Sequence, residues 1–161
     1  MAGLDAFSDL VDYPMYVVTA EADGERAGCL VGFASQCSIH PPRFTVWLST
    51  ANRTYRVARH ATHLAVHLLR REQHGLARLF GGETGDKTDK FRQVAWWPGP
   101  GGAPVLAGTC AWFVGRVLDR VHGGDHVGFL LDPVEASPPT AERPPLVMFS
   151  DVGDISPGHP A

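Results

Sequence analysis

The sequence has few cysteines and no excess of positive charge. Three cysteines occur in 161 residues, at the widely separated positions Cys29, Cys37 and Cys110. An odd and scattered set of this kind does not build a disulfide framework. Lysine and arginine number 14 against 17 aspartate and glutamate, which gives a net charge of −3 at pH 7. This balance provides no electrostatic basis for binding nucleic acid.

Long apolar runs are also missing. No stretch approaches the roughly 20 consecutive apolar residues that a membrane-spanning helix needs. The first residues, MAGLDAFSDLVDY, carry acidic side chains where a secretory signal peptide carries basic ones. We therefore expect a cytoplasmic protein that has no membrane as a partner.

The apolar residues that are present suffice for one core. They make up 44% of the sequence, against 19% charged residues, which is a globular composition. A chain of this length buries about two thirds of the surface that its unfolded form exposes. We expect a single domain over 1–161, with its core at about 13–150 and a frayed, glycine- and proline-rich tail over 154–161.

Short apolar segments separated by turns predict a mainly β fold. The predicted strands are 15–20, 26–33, 44–49, 63–69, 109–118, 127–131 and 146–149, and the predicted helices are 54–61 and 72–80. A long glycine- and proline-rich loop is predicted over 81–104. Because no βαβ unit recurs, the pattern favours a closed antiparallel barrel of six or seven strands, with two or three short helices, over an open parallel sheet.

Two polar segments, both predicted to be turns, follow neighbouring predicted strands. The first contains Ser35, Gln36, Cys37 and Ser38, and the second contains Ser49, Thr50, Asn52, Arg53 and Thr54. Hydroxyls, an amide, backbone N–H groups and an arginine can satisfy the acceptor oxygens of a phosphate. Gly28 and Gly32, in the preceding strand, would let a ligand ring or another backbone lie close. We predict a floor for a phosphorylated ligand here, although such hydroxyls also serve as ordinary turn caps.

Eight histidines raise the question of a metal site. His60, His63 and His67 would share one face of a helix. The segment from His63 onward is predicted to be a strand, however, and in a strand residues i and i+4 lie about 13 Å apart. No carboxylate joins these histidines at ligand spacing, so we predict no metal site.

Several motifs occur in a fixed order along about 13–150. They are YVVTA, GFASQCSIHPPR, LSTANRT, LAVHLL, LARLFGG followed by DKF, GDH and PLVMF. This series resembles the flavin reductase-like, FMN-binding split barrel family. The sequence departs from the family at Cys29-Leu30-Val31, where small hydroxyl residues are usual, and at Ser150-Asp151, where arginine and glycine are usual.

The resemblance implies a Greek-key split barrel that acts as an oxidoreductase. It implies FMN as the cofactor, with FAD as an alternative, and NADH or NADPH as the hydride donor. It further implies a homodimer with flavin sites near the subunit interface, and a partner monooxygenase that uses the reduced flavin. Two alternatives stay open: a non-catalytic flavin- or haem-binding module of the same fold, and a deazaflavin-dependent reductase.

The resemblance also assigns roles to individual residues. Gly28, Cys29, Leu30 and Val31, together with Ser35 to Ser38, are expected to line the flavin ring and its ribityl chain. Ser49 to Thr54 are expected to bind the phosphate. Phe80 and Phe91 are expected to pack near the flavin, and His126, in a turn with Asp125, is the expected catalytic residue beside the nicotinamide.

Overall fold

The fold is described by a computed structural model that covers residues 3–82 and 89–155. Most of the predicted tail over 154–161 lies outside the described residues, as does 83–88 of the predicted long loop. No described helix has the length and apolar character needed to cross a membrane.

The described residues form nine strands and three α-helices. The strands are β1 (Tyr16–Ala22), β2 (Glu25–Val31), β3 (Ala34–Ser38), β4 (Arg43–Ser49), β5 (His63–Leu68), β6 (Trp96–Pro98), β7 (Pro104–Leu106), β8 (Ala111–His122) and β9 (His126–Ala136). The helices are α1 (Asp5–Ser8), α2 (Arg53–Ala58) and α3 (His74–Gly82). Short 3₁₀ turns lie at Arg71–Gln73, Lys90–Arg92, Pro100–Gly102 and Phe149–Asp151.

Seven strands form one antiparallel sheet in the order β2-β1-β5-β8-β9-β4-β3. The sheet curls, so that β2, at one end, contacts β4, near the other. Its interior is filled by buried side chains that include Val18, Val46, Leu48, Val66 and Phe129. The predicted mainly β, antiparallel split barrel of seven strands is therefore confirmed.

Strand β1 is buried on both faces. Val18 packs inside the barrel, whereas Val17 belongs to a second cluster that includes Phe80 of α3. Burial on both faces explains why YVVTA lacks the alternation of a half-exposed strand. The turn from β1 into β2 contains Asp23 and Gly24 with φ values of 54° and 80°. Aspartate and glycine tolerate positive φ, as a two-residue hairpin turn requires.

Three sequence-based expectations were wrong in detail. Ser35 to Ser38 form part of the edge strand β3 and not a turn. Three of these four side chains are exposed. A polar edge strand lacks the apolar alternation by which a strand is recognised in a sequence. The predicted loop over 81–104 contains β6, which pairs with β7. The predicted strand over 146–149 makes only isolated bridges, to Pro14 and to Arg70.

His67 connects the β6–β7 hairpin to the barrel. Its ring is fully buried: Nδ1 lies 2.9 Å from the carbonyl oxygen of Val17, and the N–H of Leu106 donates to Nε2 at 3.0 Å. The ring must be neutral to accept from Leu106. Burial lowers the pKa of His67 to about 4.

This neutral histidine should make the free energy of unfolding depend on pH. In the unfolded chain the histidine binds a proton at its ordinary pKa of 6.5, whereas in the folded protein it does so only near pH 4. The contribution of the His67 ring to the free energy of unfolding is therefore fully present above pH 6.5. It is lost as the pH drops toward 4, by about 3 kcal/mol in all. Urea unfolding at several pH values checks this.

The matched control is His67→Gln, whose amide can donate to Val17 and accept from Leu106 but does not titrate. Other titrating groups act equally in both proteins. The wild type should therefore lose more stability than the variant between pH 7 and pH 4. Parallel pH profiles would show that His67 is not the group responsible.

Candidate functional site

An open cavity of about 390 Å³ lies against β2, β4, the start of β9 and α3; we call it the apolar cavity. Its walls are mainly aromatic and aliphatic, and they include Tyr13, Phe33, Trp47, Phe80 and Phe149. Its polar side chains include Ser49, Asn52, Lys90 and His126. Apolar walls with a few converging polar groups are typical of a site for a small organic ligand.

Two glycines in and next to β2 make room for aromatic walls of this cavity. A Cβ on Gly28 would come within 2.7 Å of the Phe80 ring, and a Cβ on Gly32 would come within 2.7 Å of the Tyr13 ring. The sequence predicted that these glycines admit a ligand ring or another backbone. In the structure, what lies close to them is side chains of the same chain.

A second cavity, of about 300 Å³, adjoins the first; we call it the polar cavity. Three cationic side chains line it: Arg26, Arg53 and Lys90. Lys90 lines both cavities. Thr54, Glu25 and Asp89 also line it, so the polar cavity has three cationic side chains against two carboxylates. This excess of cationic groups suits an anion.

Lys90 is buried at the boundary of the two cavities, with 5% of its surface exposed. Its Nζ donates to the carbonyl oxygens of Gly28, at 2.9 Å, and Phe80, at 3.1 Å. Cys29, the neighbour of Gly28 in β2, is also buried, and this burial raises the pKa of its thiol. Cys29 is therefore a neutral thiol at neutral pH and not a reactive thiolate.

Arg53 reaches the polar cavity from the first turn of α2. Its guanidinium donates to the carbonyl oxygen of Arg26 at 2.8 Å and to the Glu25 carboxylate at 3.3 Å. Asn52 caps the same helix, because its side-chain oxygen accepts from the N–H of Thr54 at 2.9 Å. Asn52, in the second polar segment, is thus the N-cap that fixes the start of α2 and with it the position of Arg53.

His126 lies where β9 begins, opposite Ser49 of β4. Its Nδ1 is 2.7 Å from the Asp125 carboxylate, and its ring is 5.1 Å from the Phe33 ring, centroid to centroid. The N–H of Thr50 donates to the carbonyl oxygen of Asp125 at 2.9 Å. This bond ties the second polar segment to the turn that holds His126.

The structure brings most of the predicted site residues to these two cavities. The apolar cavity is lined by Cys29, Leu30, Val31, Ser49, Asn52, Phe80 and His126. The polar cavity is lined by Gly28, Arg53, Thr54 and Phe91. Thr50 and Asp125 line neither cavity but support His126, as described above. Ser35, Gln36, Cys37 and Ser38, on edge strand β3, line neither cavity.

Several lining residues were not predicted from the sequence. Trp47 and Phe149 belong to predicted strands, where an aromatic residue indicates core packing as readily as a site. Lys90 lies in the DKF motif that carries the resemblance, but the motif gave a role only to Phe91, and Arg26 is one charged residue among others at a strand start. Only the three-dimensional arrangement identifies them.

The two cavities fit the chemistry of a flavin nucleotide. The apolar cavity offers aromatic walls to a flat ring, and the polar cavity offers arginine, lysine and a hydroxyl to a phosphate. The two share Lys90, so one ligand with an apolar and an anionic end could occupy both.

Comparisons with known proteins identify the family of this chain. The model of the family described as "Flavin reductase like domain" matches residues 8–154. A probable flavin reductase of Rhizobium meliloti (strain 1021) is 28% identical over 76% of this chain and 39% of its own length. The 4-hydroxyphenylacetate 3-monooxygenase reductase component of Salmonella typhimurium is 30% identical over 79% of this chain and 75% of its own length.

Solved structures show the same fold. The NADH:FAD oxidoreductase SgcE6 of Streptomyces globisporus superposes with a TM-score of 0.79 at 23% identity, over 94% of this chain and 92% of that one. This chain spans less than half the length of several curated relatives that it matches. Because the family model covers nearly the whole sequence, from residue 8 to residue 154, the chain belongs to the flavin reductase like domain family.

Proposed function

We propose that this chain is a flavin reductase that transfers hydride from NADH or NADPH to a bound flavin. The observation that carries the proposal is the pair of adjoining cavities, one aromatic and one cationic, with Lys90 common to both. The relatives that are reductase components of monooxygenases support this activity. By analogy, the reduced flavin would pass to a separate monooxygenase in the cytoplasm.

In this proposal the flavin ring lies in the apolar cavity and its phosphate lies in the polar cavity. Arg53 pairs with two phosphate oxygens, and Thr54 donates its hydroxyl. The aromatic walls exclude water from the ring. Ser35 to Ser38 line neither cavity. They would contact the flavin, as predicted, only from a second subunit or after a movement of β3.

A bound flavin supplies the hydride acceptor, and the protein's own residues position the donor. The Asp125 carboxylate, 2.7 Å from Nδ1 of His126, favours a proton on that nitrogen. In the neutral ring, Nε2 is then an acceptor for the carboxamide N–H of a nicotinamide. Holding donor and acceptor face to face in this way is the main contribution that a protein can make to hydride transfer.

We also propose that the protein is a homodimer of single-domain subunits. Phe33 and Phe149 line the apolar cavity and yet are 55% and 47% exposed, so the mouth of the cavity is an apolar surface. Leu4, Phe7 and Leu10, in and around α1, are also exposed. A second subunit covering such surfaces would shield both the side chains and the flavin.

The direct test is to add FMN, FAD and a deazaflavin in turn to the purified protein, measure each affinity, and then follow NADH and NADPH oxidation. We expect FMN or FAD to bind and to support oxidation of a nicotinamide nucleotide. Flavin binding without oxidation would instead indicate a binding module. A Soret band in the purified protein would indicate haem.

Replacing Arg53 by Ala should weaken FMN binding about tenfold or more, because a charge-assisted phosphate contact is lost. Fluorescence titration of FMN measures this. The matched control is Glu25→Gln, which breaks the same ion pair but retains the guanidinium. It should leave FMN affinity unchanged or increase it. Equal losses in the two variants would assign the effect to the ion pair and not to phosphate binding.

Replacing His126 by Ala should lower kcat/KM for NADH about tenfold, because one hydrogen bond to the nicotinamide is lost, while flavin affinity changes much less. Asp125→Asn retains an acceptor for Nδ1–H and should have a smaller effect. Steady-state kinetics and flavin titrations on both variants separate these contributions. Undiminished NADH oxidation by His126→Ala would remove the histidine from the proposed mechanism.

A further inference from the structure

A third cavity, of about 300 Å³, lies beside the polar cavity; we call it the arginine cavity. Three arginines at intervals of three residues line it: Arg53 and Arg56 in α2, and Arg59, the C-cap of α2. Such spacing places neighbouring side chains close together on a helix surface. The arginine cavity therefore concentrates positive charge beside the proposed phosphate site.

The arginine and polar cavities have two side chains in common, Glu25 and Arg53. These two form the ion pair at 3.3 Å, so the pair stands between the two spaces. The three cavities thus form a series: the apolar cavity shares Lys90 with the polar cavity, and the polar cavity shares Arg53 with the arginine cavity.

We propose that the arginine cavity binds the second phosphate and the adenosine of a dinucleotide flavin, so that this chain takes FAD in preference to FMN. The inference rests on the proposed flavin reductase function and specifies its substrate. The two phosphates of a diphosphate share a bridging oxygen, so the second must lie directly beside the first. Arg53 has five N–H donors and stands where it can contact both.

The other walls of the arginine cavity suit an adenosine. Asp23 provides a carboxylate acceptor for a ribose hydroxyl, whereas the Glu25 carboxylate pairs with Arg53. Ala22 provides apolar surface against which a purine can pack. The cavity therefore offers a partner to each part of the second nucleotide.

A phosphate of the hydride donor is a less suitable occupant. The nicotinamide must meet the flavin ring in the apolar cavity, where His126 lies. The arginine cavity adjoins the polar cavity, at the phosphate end of the proposed flavin site. The position of the arginines thus favours an extension of the flavin itself.

The test compares FAD and FMN affinities in the wild type and in Arg56→Gln, Arg59→Gln and the double variant, by fluorescence titration. The wild type should bind FAD more tightly than FMN. The double variant should lose about tenfold or more in FAD affinity, since it removes charged contacts to a phosphate, and keep FMN affinity within about twofold. ADP should compete with FAD in the wild type and lose this ability in the double variant.

Arg116→Gln is the matched control, because Arg116 lies on β8 and lines none of the three cavities. It should leave both affinities unchanged. Urea unfolding of each variant checks that the fold is intact, and the ADP competition measures the subsite independently of the flavin ring.

The outcomes separate this inference from the function on which it rests. Suppose that the wild type binds FAD and FMN equally well, and that in the variants both affinities fall together or neither falls. Either result would refute the subsite but leave the flavin reductase function standing. A raised KM for NADPH with unchanged FAD affinity would refute it in favour of the hydride donor. Failure of the wild type to bind either flavin would overturn both proposals.

Discussion

One buried ammonium group connects the elements that form the site. Charge inside a protein is costly unless hydrogen bonds satisfy it, and Nζ of Lys90 donates to the carbonyls of Gly28 and Phe80. Both acceptors need an outside partner. Gly28 lies in β2, an end strand of the sheet, and Phe80 lies in the last turn of α3, where carbonyls have no helical donor. Lys90 therefore fixes α3 against β2, between the two cavities.

Close packing at Gly28 makes this arrangement possible. Any side chain there would collide with the Phe80 ring, so α3 would have to move away from β2. The carbonyls of Gly28 and Phe80 would then separate, and one ammonium group could no longer reach both. Phe91, which follows Lys90 in the chain, packs edge-on against Phe80, with 5.8 Å between the two ring centroids. The positions of Phe80, Lys90 and Phe91 in the cavity walls thus require a glycine at position 28.

The sequence predicted the barrel because its central strands carry their own signals. The apolar run YVVTA and the Asp23-Gly24 turn identify β1 and its hairpin, and LSTANRT contains the N-cap of α2. Most predicted site residues therefore reach the cavities. Edge strand β3 was missed because its polar side chains face solvent. His67 and Lys90 were missed because their partners lie between 10 and 62 residues away in the chain, beyond any local pattern.

The pairing of Arg53 with Glu25 has a consequence for how tightly a phosphate binds. The Arg53 guanidinium is oriented by a carboxylate and by a backbone carbonyl. An arriving phosphate must exchange with that carboxylate and not merely with water. The internal anion therefore keeps the side chain in its binding orientation and also competes for it. Such competition weakens the net affinity of the site for a phosphate, which favours a ligand that exchanges with solution over one that is held permanently.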